Sequence, residues 1–586
     1  MEHAVSDRHF PAPPSGPGGP PAPGTPTSAA PDLPGTPAPS GNTTTDHDRP
    51  APGEPIPEQP ATPAPSDRAP EQPATPTPGE PTPDKPATPG DRAPGDRAPD
   101  GPGCPGDPAP DGHTPGGPGR PGSPAPDHRA NGRAQGAPAP GNRAPDGLAA
   151  LADQLTARGV DLVRVLWSDL HGVARGKDVH IGELTRFAGP GLSFCQAVLV
   201  TGLAGNPLEV SESSGGGWPD ARARIDPGTL AVPGYAPGTA YVLADLLDST
   251  DAHAPLELDP RGLLRRQVER LTRRGLHPVA APELEFYLLA PEPAAPLGWR
   301  GYSDHDTAGY TVGAAHDPGL LLPLLIRECH ALGLGVLTGN QEFSGGQFEI
   351  NHTHGPALDA ADRAFLFKHA VKEIAVGHGL RATFMGKPFT GKAGSGQHVH
   401  LSLVDADGGN LFAAPDADDG FSGIGRSFLA GVLEHAPALT AVLNPTVNAY
   451  KRLASADSLA PTTADWGHDN RTAYVRIPPE RGSGTRIEVR VADGAANPYL
   501  VVAALLAAGL DGIERDLIPP PSMDPHSTVL PATFRDALTA LDQDKALADA
   551  LGSRFTEVFA ALKREELSRF ERAVTDWEFH EYARML

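Results

Sequence analysis

Glu283-Leu284-Glu285-Phe286 alternates carboxylate with large apolar residue, and the same two-residue period governs three later stretches: Gln347-Phe348-Glu349-Ile350, His398-Val399-His400-Leu401-Ser402 and Arg486-Ile487-Glu488-Val489-Arg490. On a β-strand successive side chains point to opposite faces, so each stretch is expected to bury Leu, Phe, Ile or Val behind and present carboxylate, imidazole or guanidinium in front. One Glu-x-Glu alone is ordinarily a solvated strand face. Solvated faces use Lys and Thr freely, however, and these four do not. Together they predict a polar wall suited to metal ions and a polyanionic substrate.

Around this wall the chain alternates helix and strand. Apolar spacing predicts helices over 261–274, 318–332 and 358–378, interleaved with strands over 282–289, 346–351 and 397–403. A domain of α/β character on a curved sheet with one functional face explains that order better than a doubly wound nucleotide-binding fold. Upstream, a helix over 147–158 and a strand over 160–165 lead to the turn signal Asp169-Leu170-His171-Gly172 and a second strand over 173–179, a hairpin that opens a small β-rich domain. Ser213 to Gly217 is expected to be a flexible loop, 240–247 a further strand, and the Pro-punctuated stretch 251–260 the break between domains. The expected division is 1–146, 147–252 and 253–586.

The first of these pieces cannot build a core. The chain has 586 residues with 70 Pro and 68 Gly, and the excess is concentrated before Asp146. Fragments there are duplicated: Glu58 to Pro63 recurs as Glu71 to Pro76, and Gly90 to Pro94 is repeated at once as Gly95 to Pro99. With few large apolar residues to offset chain entropy, 1–146 is expected to be a long disordered tail biased to polyproline II. The formal charge of −24 argues against nucleic acid or an anionic membrane as partner. No apolar run reaches spanning length, and no signal-peptide core opens the sequence. Cys104, Cys195 and Cys329 have no metal-type spacing, which excludes a disulfide framework and a thiolate zinc site. A soluble, cytoplasmic protein is expected.

Same-face neighbours on a strand lie about 6.6 Å apart, so Glu283 and Glu285 would repel across a partly dry pocket unless a cation neutralised them. Glu342 and Glu349, with His398 and Glu488, complete a candidate set of five glutamates and one histidine. Oxygen-rich ligation with one imidazole suits Mg²⁺ or Mn²⁺ better than zinc. Arg452, Arg471, Arg476, Arg486 and Arg490 follow, and guanidinium forks match carboxylate and phosphate. The glycine-rich 386–396 lacks the order of a phosphate-cradling Walker loop and is expected to be a turn that lets backbone approach substrate.

At this point the residues resemble the glutamine synthetase family, type I and its amine-ligase relatives. The resemblance rests on Asp169 to Lys177, Pro282 to Phe286, Gln347 to Ile350, Thr383 to Pro388, Gly394-Ser395-Gly396-Gln397-His398-Val399-His400, Asn444 to Leu453, Asn470-Arg471-Thr472, Arg476-Ile477-Pro478, Arg486 to Arg490 and Asn497 to Leu500. It runs from about residue 148 to Trp577-Glu578, with no counterpart for the tail. It implies an α+β chain, with an N-terminal β-grasp domain before a C-terminal catalytic domain, assembled as a homo-dodecamer or other ring homo-oligomer with active sites between neighbouring subunits. Carried over by position, it implies one metal at Glu285, Glu342 and Glu349 and another at Glu283, His398 and Glu488. It further implies ATP contacts at His400, Ser402, Arg476 and Arg486, glutamate contacts at Gly394, Arg452 and Arg490, and Arg471 as the arginine that stabilises the transferred phosphoryl group. The implied reaction uses ATP to phosphorylate the γ-carboxylate of glutamate before an amine displaces phosphate. The tail is expected to be dispensable for folding of the ligase.

Departures concentrate on the nucleophile. Ammonia-using members carry Glu before an Ala-Pro pair on a flap over the ammonium, whereas Leu459 precedes Ala460-Pro461 here. An Asp-Gly-Ser-Ser-like stretch is replaced by Ser211-Glu212-Ser213-Ser214-Gly215, leaving Glu212 or Asp220 as substitutes. Ala393 stands where an Asn precedes the glutamate-contacting glycine, Ser483 replaces an ATP-contacting Lys, and no tyrosine for adenylylation lies between Ile518 and Phe534. This pattern resembles the γ-glutamyl-polyamine and γ-glutamyl-ethanolamide synthetases. The alternatives are a glutamine synthetase using ammonia, and a non-catalytic binding or scaffold protein of the same family.

Overall fold

The computed structural model describes residues 146–208, 218–249, 251, 254–306, 309–454 and 459–586. The tail expected over 1–146 falls, save its last residue, outside that range. So do Glu212, the Ser213 to Gly217 loop and parts of the expected break after residue 249.

The chain is a mixed α and β fold built on two sheets. In the first, β1 (Leu162–Ser168), β2 (Ala174–His180), β3 (Leu192–Cys195), β4 (Asp220–Ala231) and β5 (Thr239–Asp248) run in the order β2-β1-β5-β4-β3. β1 and β2 form the hairpin expected around Asp169, whose carboxylate accepts the amides of His171 and Val173, each at 2.9 Å. Both faces of this sheet are covered. Val163, Val165, Val242 and Ala244 pack in a cluster with the helix Asp146–Ala157, whereas Leu166, Tyr241 and Leu243 join the larger core of the rest of the chain.

The second sheet has ten strands and is curved. β6 (His277–Pro291) is its spine; β7 (Trp299–Gly301), β8 (Val336–Gln341), β9 (Gln347–His352), β10 (Gly355–Pro356), β11 (Arg381–Thr383), β12 (Gln397–Val404), β13 (Trp466–His468), β14 (Val475–Ile477) and β15 (Ile487–Val489) complete it. The main path runs β13-β14-β15-β12-β6-β9-β8, while β7, β10 and β11 pair with segments of β6. Every pairing is antiparallel except β13 with β14.

Helices cover the apolar back of this sheet and one another. The helix Ala357–Gly377 buries Phe365, Phe367 and Val371, and Pro498–Glu514 is buried along nearly its whole length. That helix meets Gly423–Glu434 at glycines: a Cβ on Gly431 would lie 2.2 Å from the Ala508 carbonyl oxygen, and one on Gly512 2.1 Å from that of Ser427. Only glycine permits backbones so close. The helix expected over 318–332 is shorter, Leu321–Ala331, because Leu320 is left-handed at a φ of 52° and breaks the helical path before it, while Asp317 accepts the amides of Leu321 and Leu322 at 2.8 and 2.9 Å.

Candidate active site

The alternation along the four quoted stretches is realised as expected. Leu284, Phe286, Phe348, Ile350, Val399, Leu401, Ile487 and Val489 are all at most 1% exposed on the core side. The polar residues fall into rows across strands because the registers align them. His398 pairs with Glu283, Glu285 with Glu349, and His400 with Glu488, which in turn pairs with Arg476. Residues up to 205 positions apart in the chain thus form one continuous wall.

Two sets of donor atoms converge within 4.8 Å: Glu283 with Glu349 and His398, and Glu283 with His400 and Glu488. The resemblance divides these residues otherwise, giving Glu349 to a set with Glu285 and Glu342 and leaving His400 to ATP. Glu283 therefore stands between both clusters, with His400 Nε2 2.9 Å from its Oε1 and His398 Nδ1 3.5 Å from its Oε2. Burial pushes the Glu283 carboxyl up, but hydrogen bonding from the two imidazoles outweighs this and holds it far below the usual range. Glu488 is buried too, yet His398, His400 and Arg490 hold it down at about 2. Arg476 donates to its Oε2 at 2.6 Å, and Arg490 donates to its Oε1.

The opposite behaviour marks the other half of the wall. Burial, then repulsion from Glu285, raises Glu342 to about 7, and burial with repulsion from Glu285, Glu283 and Glu342 raises Glu349 to about 9. Carboxylates so placed cannot all ionise without added positive charge. This donor set, oxygen-rich with imidazole at one side, fits Mg²⁺ or Mn²⁺. Amides brace it: Asn340 Nδ2 donates to Glu342 and Asn351 Nδ2 to Glu349, both at 2.7 Å, and the Gly396 amide donates to Glu285 at 2.9 Å.

The remaining candidates border the wall. Gly394 lies in the loop before β12, its carbonyl accepting from Gln347 Nε2 at 2.9 Å. Arg452, on the short helix Ala449–Leu453, is buried against that loop and donates to the carbonyls of Val491 and Ala492. Arg490 Nε donates at 2.9 Å to the carbonyl of Arg471, whose own side chain is exposed and near enough to Glu342 to lower its pKa. Arg486 Nε reaches His400 Nδ1 at 3.1 Å, and Ser402 follows two positions later on β12.

The structure does not tie the described acceptor candidates, Leu459 and Asp220, to this wall. Leu459 is 53% exposed beside the undescribed 455–458. Asp220, at the start of β4, accepts from Ser193 Oγ, and its carbonyl accepts from Gln196. Neither partner belongs to the wall. Glu212 lies outside the described residues.

Two features escaped sequence reading. Asn340 and Asn351 flank the carboxylates, and only cross-strand register reveals it. Tyr310, itself at a φ of 54° after Gly309, stands near Glu342, Glu349 and Arg471; burial, then those two glutamates, pushes its hydroxyl up.

The family model for the glutamine synthetase catalytic domain matches residues 257–582. The glutamine synthetase of Thermus thermophilus is 41% identical over 343 residues, covering 56% of this chain and 76% of that protein. That of Halobacterium salinarum is 34% identical over 456 residues, covering 75% and 96%. Among solved structures, ligand-free GmaS superposes with a TM-score of 0.66 at 34% identity, over 74% of this chain and 99% of that one. A structure described as a novel glutamine synthase homolog gives 0.64 at 31% identity, over 73% and 99%. This chain belongs to the glutamine synthetase family and is an ATP-dependent glutamate ligase.

Proposed function

We propose that this ligase joins the γ-carboxylate of glutamate to a small alkylamine or polyamine, such as ethanolamine or putrescine, in preference to ammonia. The observation that carries this reading is the contrast between a complete wall of carboxylate, imidazole and guanidinium and an exposed Leu459 at the flap position. A leucine can neither attract ammonium nor accept its proton. It can line an apolar entrance for an alkyl chain. The structural neighbour GmaS, a γ-glutamylmethylamide synthetase, supports ligation to an alkylamine.

In this reading His400, Ser402, Arg476 and Arg486 hold ATP, while Gly394, Arg452 and Arg490 hold glutamate. The γ-carboxylate attacks the terminal phosphorus of ATP, ADP leaves, and the amine nitrogen then attacks the γ-carbonyl and expels phosphate. Arg471 offsets charge on the phosphoryl group, a role in which one preorganised donor is worth about 10²–10³ in rate. Glu283, Glu285, Glu342, Glu349, His398 and Glu488 would hold two Mg²⁺ or Mn²⁺ ions, which would supply charge neutralisation at the phosphates. Alkylamines have pKa values near ~10, so the acceptor arrives protonated and must lose a proton before it attacks.

We assign residues 147–252 to the β-grasp domain and 253–586 to the catalytic domain, in a homo-dodecamer or similar ring. Asp220 or Glu212 would then serve a neighbouring subunit's wall and hold a distal ammonium.

The curated relatives are named glutamine synthetase, which favours ammonia as the second reading. One experiment separates the two. Phosphate release from ATP and glutamate with Mg²⁺ is measured against ammonium, methylamine, ethanolamine, putrescine and spermidine. At least ten-fold higher kcat/KM for one of the organic amines is expected, and equal or better turnover with ammonium would overturn the proposal.

A further inference from the structure

A cavity of about 580 Å³ opens between the helix Pro260–Thr272 and the turn that joins Lys545–Leu551 to Ser553–Arg572. None of its lining residues belongs to the catalytic wall. Arg266, Arg270, Arg273 and Arg554 line it, and among the described residues none of the four has a carboxylate oxygen within 4.0 Å. Their neighbours behave differently: Arg265 pairs with Asp245 at 2.8 Å, and Arg274 pairs with Glu514. The free arginines are not stray surface charges, because Arg266, Arg270 and Arg554 are each partly buried. Burial draws the Arg266 guanidinium below its ordinary pKa, an effect that Asp259, Glu257 and Glu269 offset only in part.

What hydrogen bonds these groups make go to neutral oxygens. Arg266 donates to the Glu257 carbonyl at 3.3 Å; Arg270 donates to the Gln267 amide oxygen at 2.9 Å and the Ala550 carbonyl at 3.4 Å. Gln267, itself buried, is locked by its own bond to Ala550 at 2.7 Å, so it fixes one edge of the cavity. The 20-residue helix Ser553–Arg572 starts in the same wall behind Gly552, with no side chain capping its first amides. Those amides add donors to the guanidinium forks. Glu257, Glu269 and Asp549 also line the opening, but all three are exposed. They leave a small positive excess, too little for a polynucleotide, so recognition would rest on directed donors.

We infer that this cavity is a binding site for a small oxyanion, a carboxylate or phosphate compound, distinct from the ATP and glutamate sites. Arginine forks and helix amides accept either group.

The test uses the full chain without ATP, glutamate or metal, so its outcome is independent of the ligase acceptor. Inorganic phosphate and succinate are titrated separately at constant ionic strength, with calorimetry as readout, into wild type, Arg266→Gln/Arg270→Gln and Arg471→Gln. Saturable binding of at least one anion is expected, weakened at least ten-fold in the double variant and unchanged in Arg471→Gln. Binding of phosphate alone or of succinate alone assigns the class. If the double variant does not fold, Arg273→Gln, at an exposed position, is expected to weaken binding at least three-fold. Absence of saturable binding, or equal affinity in wild type and the cavity variants, overturns the inference.

Discussion

Glu349 is the residue whose chemistry is most altered by its neighbours. Burial and the charges of Glu285, Glu283 and Glu342 lift its pKa to about 9, and Glu342 follows at about 7. A carboxyl raised this far holds its proton at pH 8, and a divalent cation must displace that proton to bind. The sign is therefore fixed: apparent metal affinity rises with pH toward 9, and binding acidifies the solution. Addition of Mg²⁺ should release protons from the Glu342 and Glu349 pair, more of them at pH 6 than at pH 8. A pH-stat measures this directly. Glu349→Gln should abolish release at pH 8 and lower metal-dependent ATP turnover by at least about 100-fold; release undiminished in that variant would exclude Glu349 as a ligand.

Loops and helix junctions hold the wall in place, and the loop 386–396 does so by close approach. A Cβ on Gly394 would lie 2.6 Å from Arg452 Cγ and 2.7 Å from the Gly386 carbonyl oxygen. Arg452 cannot retreat, being buried and bonded to Val491 and Ala492. Gly394→Ala should thus raise KM for glutamate at least about ten-fold, since an ångström of misplacement can cost about 100-fold. Gly391→Ala is the control: its φ of 76° strains an alanine, but no atom lies within 4 Å, and its KM should stay near wild type. A junction of helices gives a second test. His435 lies 2.6 Å from Asp544 and 3.0 Å from Asp511, carboxylates of two other helical segments. Burial lowers its pKa, but bonds to Asp544 and then Asp511 prevail and raise it. A raised folded pKa stabilises fully below the unfolded value of 6.5 and is lost as pH rises through the folded value. Stability should fall as pH rises above 6.5 and through the folded value, and His435→Gln should flatten that slope in thermal unfolding between pH 6 and 9. These elements also show where sequence reading reached. Alternation revealed β6, β9, β12 and β15 because Leu284, Phe348, Val399 and Ile487 are large and fully buried. It missed β4, which buries a single large residue, Ile225, beside the small Ala221, Ala223 and Ala231, and whose pairing shifts between Asp226 and Ala231. It could not place Asn340 beside Glu342, His400 beside Glu283, or β6 between β12 and β9, since non-local register has no local signature.

At the scale of the whole molecule, the two sheets are joined by a buried charge cluster that no periodicity announces. Arg261, 3% exposed at the start of the helix Pro260–Thr272, donates to Asp362 at 2.8 and 2.7 Å and to Asp226 at 2.9 Å, and it contacts Asp245 as well. Asp226 and Asp245 belong to β4 and β5 of the first sheet, while Asp362 lies on the helix Ala357–Gly377 behind the second and accepts from Tyr499 at 2.8 Å. One guanidinium therefore bridges carboxylates from both layers, sharing Asp245 with Arg265 and Arg224, a task its planar fork performs and a lysine's point charge cannot. Nearby, Asp259 accepts the amides of Leu246 and Arg261 at 3.0 and 3.1 Å, tying β5 of the first sheet to the same helix. Removing the guanidinium strips Asp362 and Asp226 of their charged partner and leaves Asp245 to Arg265 and Arg224, and an acid left buried without its partner costs far more than the pair's net worth. Arg261→Ala should lower stability by about 3–5 kcal/mol, with Arg261→Lys intermediate because charge is kept and geometry is not. Urea unfolding, followed by Trp167 fluorescence for the first sheet and Trp466 for the second in single-tryptophan variants, reads both layers. The two transitions should coincide in the wild-type background and separate in Arg261→Ala, with the Trp167 transition moving to lower urea. Coincident and unshifted transitions in Arg261→Ala would show that apolar packing of Leu166, Tyr241 and Leu243 alone unites the layers.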